Sequence, residues 1–181
     1  MPPSIPASPR RILVVGTGSI GLRHARLCKE RPDLRVEVCD TRTEGLEEAR
    51  KALGETPVWA DLTVALASRP DLVIVATPHD THQPIASAAM RAGAHVLCEK
   101  PMTDTLEAAL KLVADQQETG RILRVGFMLH FHPGMLRLRA LVTEGALGQI
   151  LQMRYSVGSY ITLENSRSRY QQSVFGAIMM D

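Results

Sequence analysis

Residues 11–21 read RILVVGTGSIG, a short aliphatic run that ends directly in the pattern G-x-G-x-x-G. An amphipathic helix pattern follows at once, which is the order expected where a strand turns into a helix that binds a dinucleotide. Gly16 permits the tight turn, Gly18 lets the backbone approach a pyrophosphate, and Gly21 lets the helix pack close to the strand. The free amides at the start of such a helix suit phosphate oxygens. The cofactor-binding residues predicted in this turn are Gly16, Thr17, Gly18, Ser19, Ile20 and Gly21.

An acidic residue follows the second predicted strand at the distance expected for a ribose-binding carboxylate. The strand covers residues 34–39, and the acid is Asp40. A carboxylate there accepts hydrogen bonds from the ribose of NAD and repels the 2′-phosphate of NADP. Arg42 fits an ordinary solvated side chain, but it is also placed to meet that phosphate. We therefore predict NAD as the cofactor, with NADP as the alternative and both Asp40 and Arg42 as cofactor-binding residues.

The composition is that of an ordinary globular protein. The chain has 181 residues, of which 45% are hydrophobic and 22% charged, with a formal net charge of +2. This charge is too small to indicate nucleic-acid binding, and no apolar run is long enough to span a bilayer. The three cysteines lack metal-ligand spacing and fit buried thiols in a reducing compartment. We expect a cytoplasmic protein with no nucleic-acid or membrane partner.

Strand and helix patterns alternate from residue 12 to residue 127. The alternation predicts an α/β fold with a doubly wound parallel sheet of the Rossmann type. The predicted strands cover residues 12–15, 34–39, 58–60, 72–76, 94–98 and 122–127. The predicted helices cover residues 19–31, 44–53, 62–68 and 81–92, and a fifth, capped by Thr103 or Asp104, runs to about Thr119.

The pattern changes after Phe127. Residues 133–144 predict a helix, and residues 150–160 alternate between polar and apolar as a half-buried strand does. We expect a disordered, proline-rich tail over residues 1–10 and a Rossmann domain over residues 11–127. The remaining residues, 128–181, predict the start of an incomplete α+β domain for substrate binding or dimerisation.

Three further motifs stand at the ends of predicted strands. They are ATPHDTH at residues 76–82, CEKP at residues 98–101 and GFMLHFHP at residues 126–133. Together with the glycine motif they resemble the Gfo/Idh/MocA family of NAD(P)-dependent oxidoreductases, which act on sugars, inositols and related polyols. The resemblance runs from Arg11 to Asp181, and Glu-Lys-Pro is its most specific element. It implies hydride transfer between a nicotinamide and a small sugar or polyol, and we expect the full-length form to be a homo-oligomer.

Lys100 follows the fifth predicted strand, at the sheet edge where doubly wound folds bind their ligands. Oxidation of a secondary alcohol needs a group that takes the hydroxyl proton, and a lysine can serve. By residue type alone, Lys100 also fits a surface lysine before a turn proline. The resemblance implies that Lys100 contacts the substrate hydroxyl, that Glu99 orients it, and that both lie at the cofactor. It also implies a cis bond before Pro101.

The loop after the fourth predicted strand is expected to pass the nicotinamide end of the cofactor. Asp80 or Thr81 also fits a simple helix cap. His79 and His82 have no further ligands at metal-binding spacing, so we predict no metal site. The cofactor-binding residues expected in this loop are Ala76, Thr77, Pro78 and His82.

Two departures from the family pattern lie towards the end of the chain. His130 stands where the family commonly has an arginine. The second-domain motif Gly-Gly-x-x-x-Asp-x-x-x-His is matched by Gly176 and Asp181, with Phe175 before them, and the chain ends before the histidine. We expect Asp181 to be catalytic and interpret the chain as a fragment or a truncated reading frame. The alternative function is a dinucleotide-binding fragment without turnover.

Overall fold

Six parallel strands form one sheet in this structure, a computed structural model that describes residues 9–156. The strands are β1 (Arg10–Val15), β2 (Leu34–Cys39), β3 (Val58–Trp59), β4 (Leu72–Val75), β5 (His95–Cys98) and β6 (Leu123–Val125). They are arranged in the order β3-β2-β1-β4-β5-β6, and every neighbouring pair is parallel. The chain forms β2 and β3 on one side of β1 and then crosses over to form β4 on the other side of β1. The carboxyl ends of β1 and β4 therefore form the switch point where such sheets bind ligands, and the predicted Rossmann fold is confirmed.

Six α-helices lie among the described residues. They are α1 (Ser19–Lys29), α2 (Thr43–Leu53), α3 (Leu62–Ala67), α4 (His82–Arg91), α5 (Leu106–Thr119) and α6 (Pro133–Thr143). Helix α4 begins one residue later than predicted because a 3-10 turn over His79–Thr81 comes first. Glycine closes α2 and α5, where Gly54 and Gly120 adopt positive φ angles of 62° and 64°, a conformation that glycine reaches without a Cβ penalty.

Helix α5 begins later than the sequence predicts. Its N-cap is Thr105, whose Oγ1 accepts a hydrogen bond of 3.2 Å from the amide of Ala108. Thr103 instead donates its hydroxyl to the carbonyl of Thr105 at 2.8 Å. The predicted caps Thr103 and Asp104 are therefore wrong, since the extended backbone that a cap requires occurs at Thr105.

Both faces of the central strand β1 are buried. Leu13 and Val14 are each 0% exposed, and because side chains alternate along a strand they join clusters on opposite faces. One cluster includes Leu13, Val15, Val73, Met90 and Leu112, and the other includes Val14, Val38, Ile74, Ala25 and Ala49. Helices α4 and α5 cover the first face, and α1 and α2 cover the second. This two-sided burial explains the continuous apolar runs in the sequence.

Both ends of the described chain differ from the sequence-based expectation. Strand β1 begins at Arg10, whose amide donates to the carbonyl of Asp33 at 2.9 Å, so Arg10 is not part of a tail. Residues 150–156 contain no strand, although their alternation predicts one. A strand needs a hydrogen-bonded neighbour, and within residues 9–156 no segment pairs with this one. Residues 1–8 and 157–181, including Asp181, lie outside the described residues.

Backbone contacts divide the chain into two units, Met1–Phe127 and Met128–Asp181. The first contains the whole sheet. In the second, the described elements are a 3-10 turn over Met128–Phe131 and helix α6. The Nδ1 atom of His132 caps α6 by accepting from the amide of Gly134 at 3.2 Å, and Pro133 takes the first helical position. In the part of the chain that the structure describes, no helix is long and apolar enough to cross a membrane.

Candidate active site

Gly16 and Gly21 are fixed by the packing of the protein itself. Gly16 has a φ of +96°, and a Cβ there would lie 2.5 Å from the carbonyl oxygen of Ala76. A Cβ on Gly21 would lie only 1.9 Å from the carbonyl oxygen of Gly16. These two glycines allow β1, the end of β4 and the start of α1 to approach one another. Packing of the turn therefore requires Gly16 and Gly21, and it does not account for the third glycine, Gly18.

Gly18 faces open space. A Cβ built on it would meet nothing within 4 Å. The residue is the N-cap of α1, with an extended backbone and no side-chain capping hydrogen bond, and the first turn of the helix carries no acidic side chain. Ser19 and Ile20, which contribute the first amides of that turn, are exposed. An open cradle beside uncapped helix amides fits the pyrophosphate of a dinucleotide.

Asp40 lies at the end of β2 and binds the glycine-rich turn directly. Its Oδ2 accepts from the amide of Thr17 at 2.8 Å and from the Thr17 hydroxyl at 2.6 Å. Arg42 contacts both carboxylate oxygens, with Nε 3.1 Å from Oδ1 and Nη2 2.9 Å from Oδ2. Burial alone would raise the pKa of Asp40, but the hydrogen bonds from Arg42 and Thr17 outweigh it and lower the pKa to about 2.

This Thr17–Asp40–Arg42 cluster packs tightly against the first turn of α2. A Cβ on Gly45 would lie 2.4 Å from Thr17 Oγ1 and 3.0 Å from Asp40 Oδ2. The two sides of the cluster differ in exposure, because the Asp40 side chain is 6% exposed and the Arg42 side chain 52%. The carboxylate is therefore held on its buried side by Thr17 and is covered on its solvent side by the guanidinium.

The loop after β4 lies at the same edge of the sheet as the glycine-rich turn. The amide of Ala76 donates to the carbonyl of Val15 at 2.8 Å, which places the loop beside the glycine-rich turn. The hydroxyl of Thr81 lies 2.8 Å from Thr77 Oγ1 and 2.7 Å from the carbonyl oxygen of Pro78. Thr81 is the N-cap residue of α4, but its side chain makes no capping hydrogen bond. Its hydroxyl instead stabilises the loop itself.

His82 joins this loop to the turn after β5. Its Nε2 lies 2.9 Å from the carbonyl oxygen of Thr77, and its Nδ1 lies 2.9 Å from that of Pro101. The residue is 1% exposed. Both partners are carbonyl oxygens, which only accept, so a ring nitrogen that carries a proton donates to the oxygen it faces. The side chain that the sequence places among the cofactor-binding residues is thus enclosed by the protein and bound to its backbone.

Glu99 and Lys100 leave the end of β5. The amide of Glu99 donates to the carbonyl of Val75 at 2.9 Å, and the Lys100–Pro101 bond is cis, as the resemblance implies. The carboxylate of Glu99 lies 2.7 Å from His24 Nε2 through Oε1 and accepts from the Lys100 amide at 3.3 Å through Oε2. Lys100 is half-buried. The turn therefore holds a carboxylate and an amine at the same sheet edge as the glycine-rich turn.

His24 is the residue of this site that the sequence analysis misses. It lies on α1, three residues after Gly21, and helix geometry places residues with this spacing on one face. That face points towards the edge of the sheet where β5 ends. A histidine on the glycine-bearing face of α1 is the only signal that the sequence offers for it.

Cys98, directly before Glu99, is not a candidate nucleophile. Burial is the main reason that the pKa of its thiol is raised to about 12, and the nearby charge of Glu99 is the second. The thiolate is the reactive form of cysteine, so Cys98 is inert near neutral pH. Within residues 9–156, no three histidine, cysteine, aspartate or glutamate side chains are grouped as a metal site would need.

Comparison with a family model agrees with this geometry. Residues 10–127 match the Gfo/Idh/MocA model, which is described as an oxidoreductase family with an NAD-binding Rossmann fold. The match spans every strand of the sheet and ends where the first unit ends. It confirms the predicted family and the predicted cofactor class.

Individual relatives are sugar and inositol dehydrogenases. The chain is 34% identical to D-glucoside 3-dehydrogenase of Escherichia coli over 83% of its own length and 44% of the relative's. It is 37% identical to inositol 2-dehydrogenase 4 of Saccharopolyspora erythraea over 79% and 44% of the two chains. Among solved structures, the WlbA dehydrogenase of Bordetella pertussis in complex with NADH and UDP-GlcNAcA matches with a TM-score of 0.73 and 29% identity, over 78% and 44% of the two chains.

The chain spans less than half the length of these relatives. The part that matches the family model contains the glycine-rich turn, the loop after β4 and the turn after β5. Because the family model covers most of the chain and all of its sheet, the protein belongs to the Gfo/Idh/MocA family of oxidoreductases.

Proposed function

We propose that the first unit binds NAD(H) and that the protein oxidises or reduces a small sugar, inositol or related polyol. The observation that carries the proposal is the open cradle at Gly18, which lies beside uncapped helix amides in a turn that is otherwise tightly packed. The family's NAD-binding fold and the sugar and inositol dehydrogenases among its relatives support the same conclusion.

Each part of the site has a role in this proposal. The amides of Ser19 and Ile20 bind the pyrophosphate, and Asp40 binds the adenosine ribose with Arg42 beside it. Ala76, Thr77 and Pro78 line the nicotinamide end. The nicotinamide, when bound, accepts or returns the hydride. His82 holds the two loops of this end together through their carbonyls.

Lys100 handles the proton. We propose that its amine takes the proton of the reacting hydroxyl during oxidation and returns it during reduction, as general acid–base groups do. Glu99 positions Lys100, supported by its carboxylate contact with the Lys100 amide at 3.3 Å. Asp181, which lies outside the described residues, is proposed as a further catalytic residue. We also propose a cytoplasmic location, which the three free cysteines favour, and a homo-oligomeric complete protein.

A second candidate function follows from the share of the relatives that the chain covers. The chain spans 44% of the curated relatives, so the 181 residues by themselves are a candidate binding module without turnover. Turnover would then require the remainder of a longer protein.

Two measurements test these proposals. NADH is titrated into the 181-residue chain and followed by fluorescence, and NAD reduction is assayed with myo-inositol and with D-glucosides. Binding with turnover supports the dehydrogenase, and binding without turnover supports the binding module. Asp40→Ala should weaken NADH more than NADPH, because the variant loses a ribose partner and a group that repels the 2′-phosphate. Absence of NADH binding to the folded chain would contradict both functions.

A further inference from the structure

Asp40 has no acceptor position left for a ribose hydroxyl. Its Oδ2 accepts from the Thr17 amide, the Thr17 hydroxyl and Arg42 Nη2, and its Oδ1 accepts from the amide and Nε of Arg42. An ionised carboxylate offers about four lone-pair positions, and the protein directs five donors at them. The carboxylate on which cofactor binding depends is therefore saturated by its own neighbours.

Only one of these neighbours is free to leave. Thr17 is 1% exposed and lies so close to Gly45 that a Cβ there would be 2.4 Å from its Oγ1. The amide of Arg42 is fixed at the N-cap of α2. The guanidinium of Arg42, by contrast, is half-exposed and sits on the solvent side of the carboxylate. When it leaves, three donors stay, two on Oδ2 and one on Oδ1, so that one acceptor position opens on Oδ1.

We propose that the adenosine ribose of the cofactor takes this position from Arg42. A ribose hydroxyl donates to Asp40 Oδ1 as the Arg42 guanidinium moves towards solvent, so opening of the Arg42–Asp40 ion pair is part of cofactor binding. This inference rests on the proposed NAD(H) site. It assigns Arg42 opposite effects on the two cofactors. Arg42 competes with the ribose of NADH, whereas the displaced guanidinium can pair with the 2′-phosphate of NADPH.

The test compares two arginine variants of the 181-residue chain. Arg42→Ala removes the competitor, and Arg50→Ala removes an equal charge from an exposed position on α2, the helix that follows Arg42. An ion pair whose cation faces solvent contributes up to about 1 kcal/mol, so NADH should bind about two- to fivefold more tightly to Arg42→Ala than to Arg50→Ala. NADPH should bind more weakly to Arg42→Ala. Dissociation constants are measured by the quenching or enhancement of nucleotide fluorescence.

A second measurement follows the Arg42–Asp40 ion pair directly. The Nε–H of Arg42 bonds to Oδ1 at 3.1 Å in the free chain, so saturating NADH should accelerate its hydrogen exchange in the wild type. The proposal requires that NADH bind more tightly to Arg42→Ala than to Arg50→Ala and that NADH accelerate the exchange of the Arg42 Nε–H. NADH binding to Arg42→Ala that is unchanged or weaker than to Arg50→Ala, or exchange that does not change with NADH, would overturn it. If the wild type bound neither nucleotide, the NAD(H) site itself would be refuted instead.

Discussion

His24 Nε2 lies 2.7 Å from Glu99 Oε1, and this contact joins helix α1 to the turn that carries Lys100. The two residues are separated by 75 positions in the chain. The hydrogen bond therefore connects the helix of the glycine-rich turn with the proposed catalytic turn. Both side chains are about a quarter exposed, so the contact is shielded from solvent only in part.

Loss of this contact should destabilise the protein modestly. His24→Leu removes the partner of Glu99 and should lower the free energy of unfolding by about 1 kcal/mol. His24→Gln keeps an N–H donor and should lose less. Arg23→Gln, at an exposed position of the same helix, serves as the control. Urea unfolding measures all three, and equal losses for Leu and Gln would contradict a role for the hydrogen bond.

The glycines of the turn should separate folding from cofactor binding. Gly21→Ala forces a Cβ to within 1.9 Å of the Gly16 carbonyl oxygen, and it should destabilise the fold by about 3 kcal/mol. Gly18→Val places its side chain in open space, so the fold should persist while NADH binding is lost through steric exclusion of the pyrophosphate. Thermal unfolding and NADH titration distinguish the two. Normal NADH binding by Gly18→Val would remove the argument from the glycine motif.

The low pKa of Asp40 predicts a specific acid sensitivity. A carboxyl whose pKa is lowered by folding stabilises the protein above its unfolded value of 3.8, and this contribution is lost as the pH falls to about 2. The gap in unfolding free energy between wild type and Asp40→Asn should therefore shrink by about 2 kcal/mol over that range. Denaturant unfolding at stepped pH measures it, with exposed Asp104→Asn as the control. A difference in unfolding free energy between wild type and Asp40→Asn that does not vary with pH would contradict a pKa of about 2 for Asp40.

Lys100→Met should separate chemistry from cofactor binding. In a complete protein that contains this chain, kcat should fall by about 10²- to 10⁴-fold, the usual contribution of a general acid–base group. NADH affinity should stay nearly unchanged, because the proposed contact of Lys100 is with substrate. Lys111→Met, at an exposed position on α5, is the control. A loss of less than about tenfold would indicate a structural lysine.

The first unit should bind the cofactor without the second. All six strands precede Phe127, where the unit ends. A chain that stops at Phe127 should therefore keep its affinity for NADH. It should also be more soluble, because Met128, Phe131 and Leu151 are 72%, 80% and 87% exposed in the described structure, and exposed apolar side chains promote association. Light scattering and NADH titration check both statements, and loss of binding would show that residues beyond 127 contribute to the site.

The sequence was sufficient where one physical signal dominates. The strands β1 and β4 contain continuous apolar runs because both of their faces are buried, and the sequence therefore predicts them directly. The glycine positions were readable for a similar reason, since Gly16 and Gly21 meet backbone atoms that any side chain would strike. Each constraint fixes the residue type at its own positions, and so it leaves a local pattern even where the contact, as between Gly16 and Ala76, joins distant residues.

The features that the sequence does not predict depend on partners far away in the chain or on several neighbouring residues that suit the same role. Three adjacent residues from Thr103 to Thr105 all have side chains that cap helices, and only the backbone angles at Thr105 decide among them. The contact of His24 with Glu99 joins residues far apart in sequence, and no pattern within α1 specifies its partner. The alternation of residues 150–156 is typical of a strand, yet a strand also requires a neighbour, which the pattern does not supply.

The two carbonyl contacts of the buried His82 ring have a consequence for redesign of this protein. One imidazole serves as the common support of residues 76–82 and of the turn at Pro101. Replacing either segment with that of a relative would change the geometry that the other segment requires. The two segments therefore form a single exchangeable cassette, and transfer of nucleotide or substrate preference between family members should move them together.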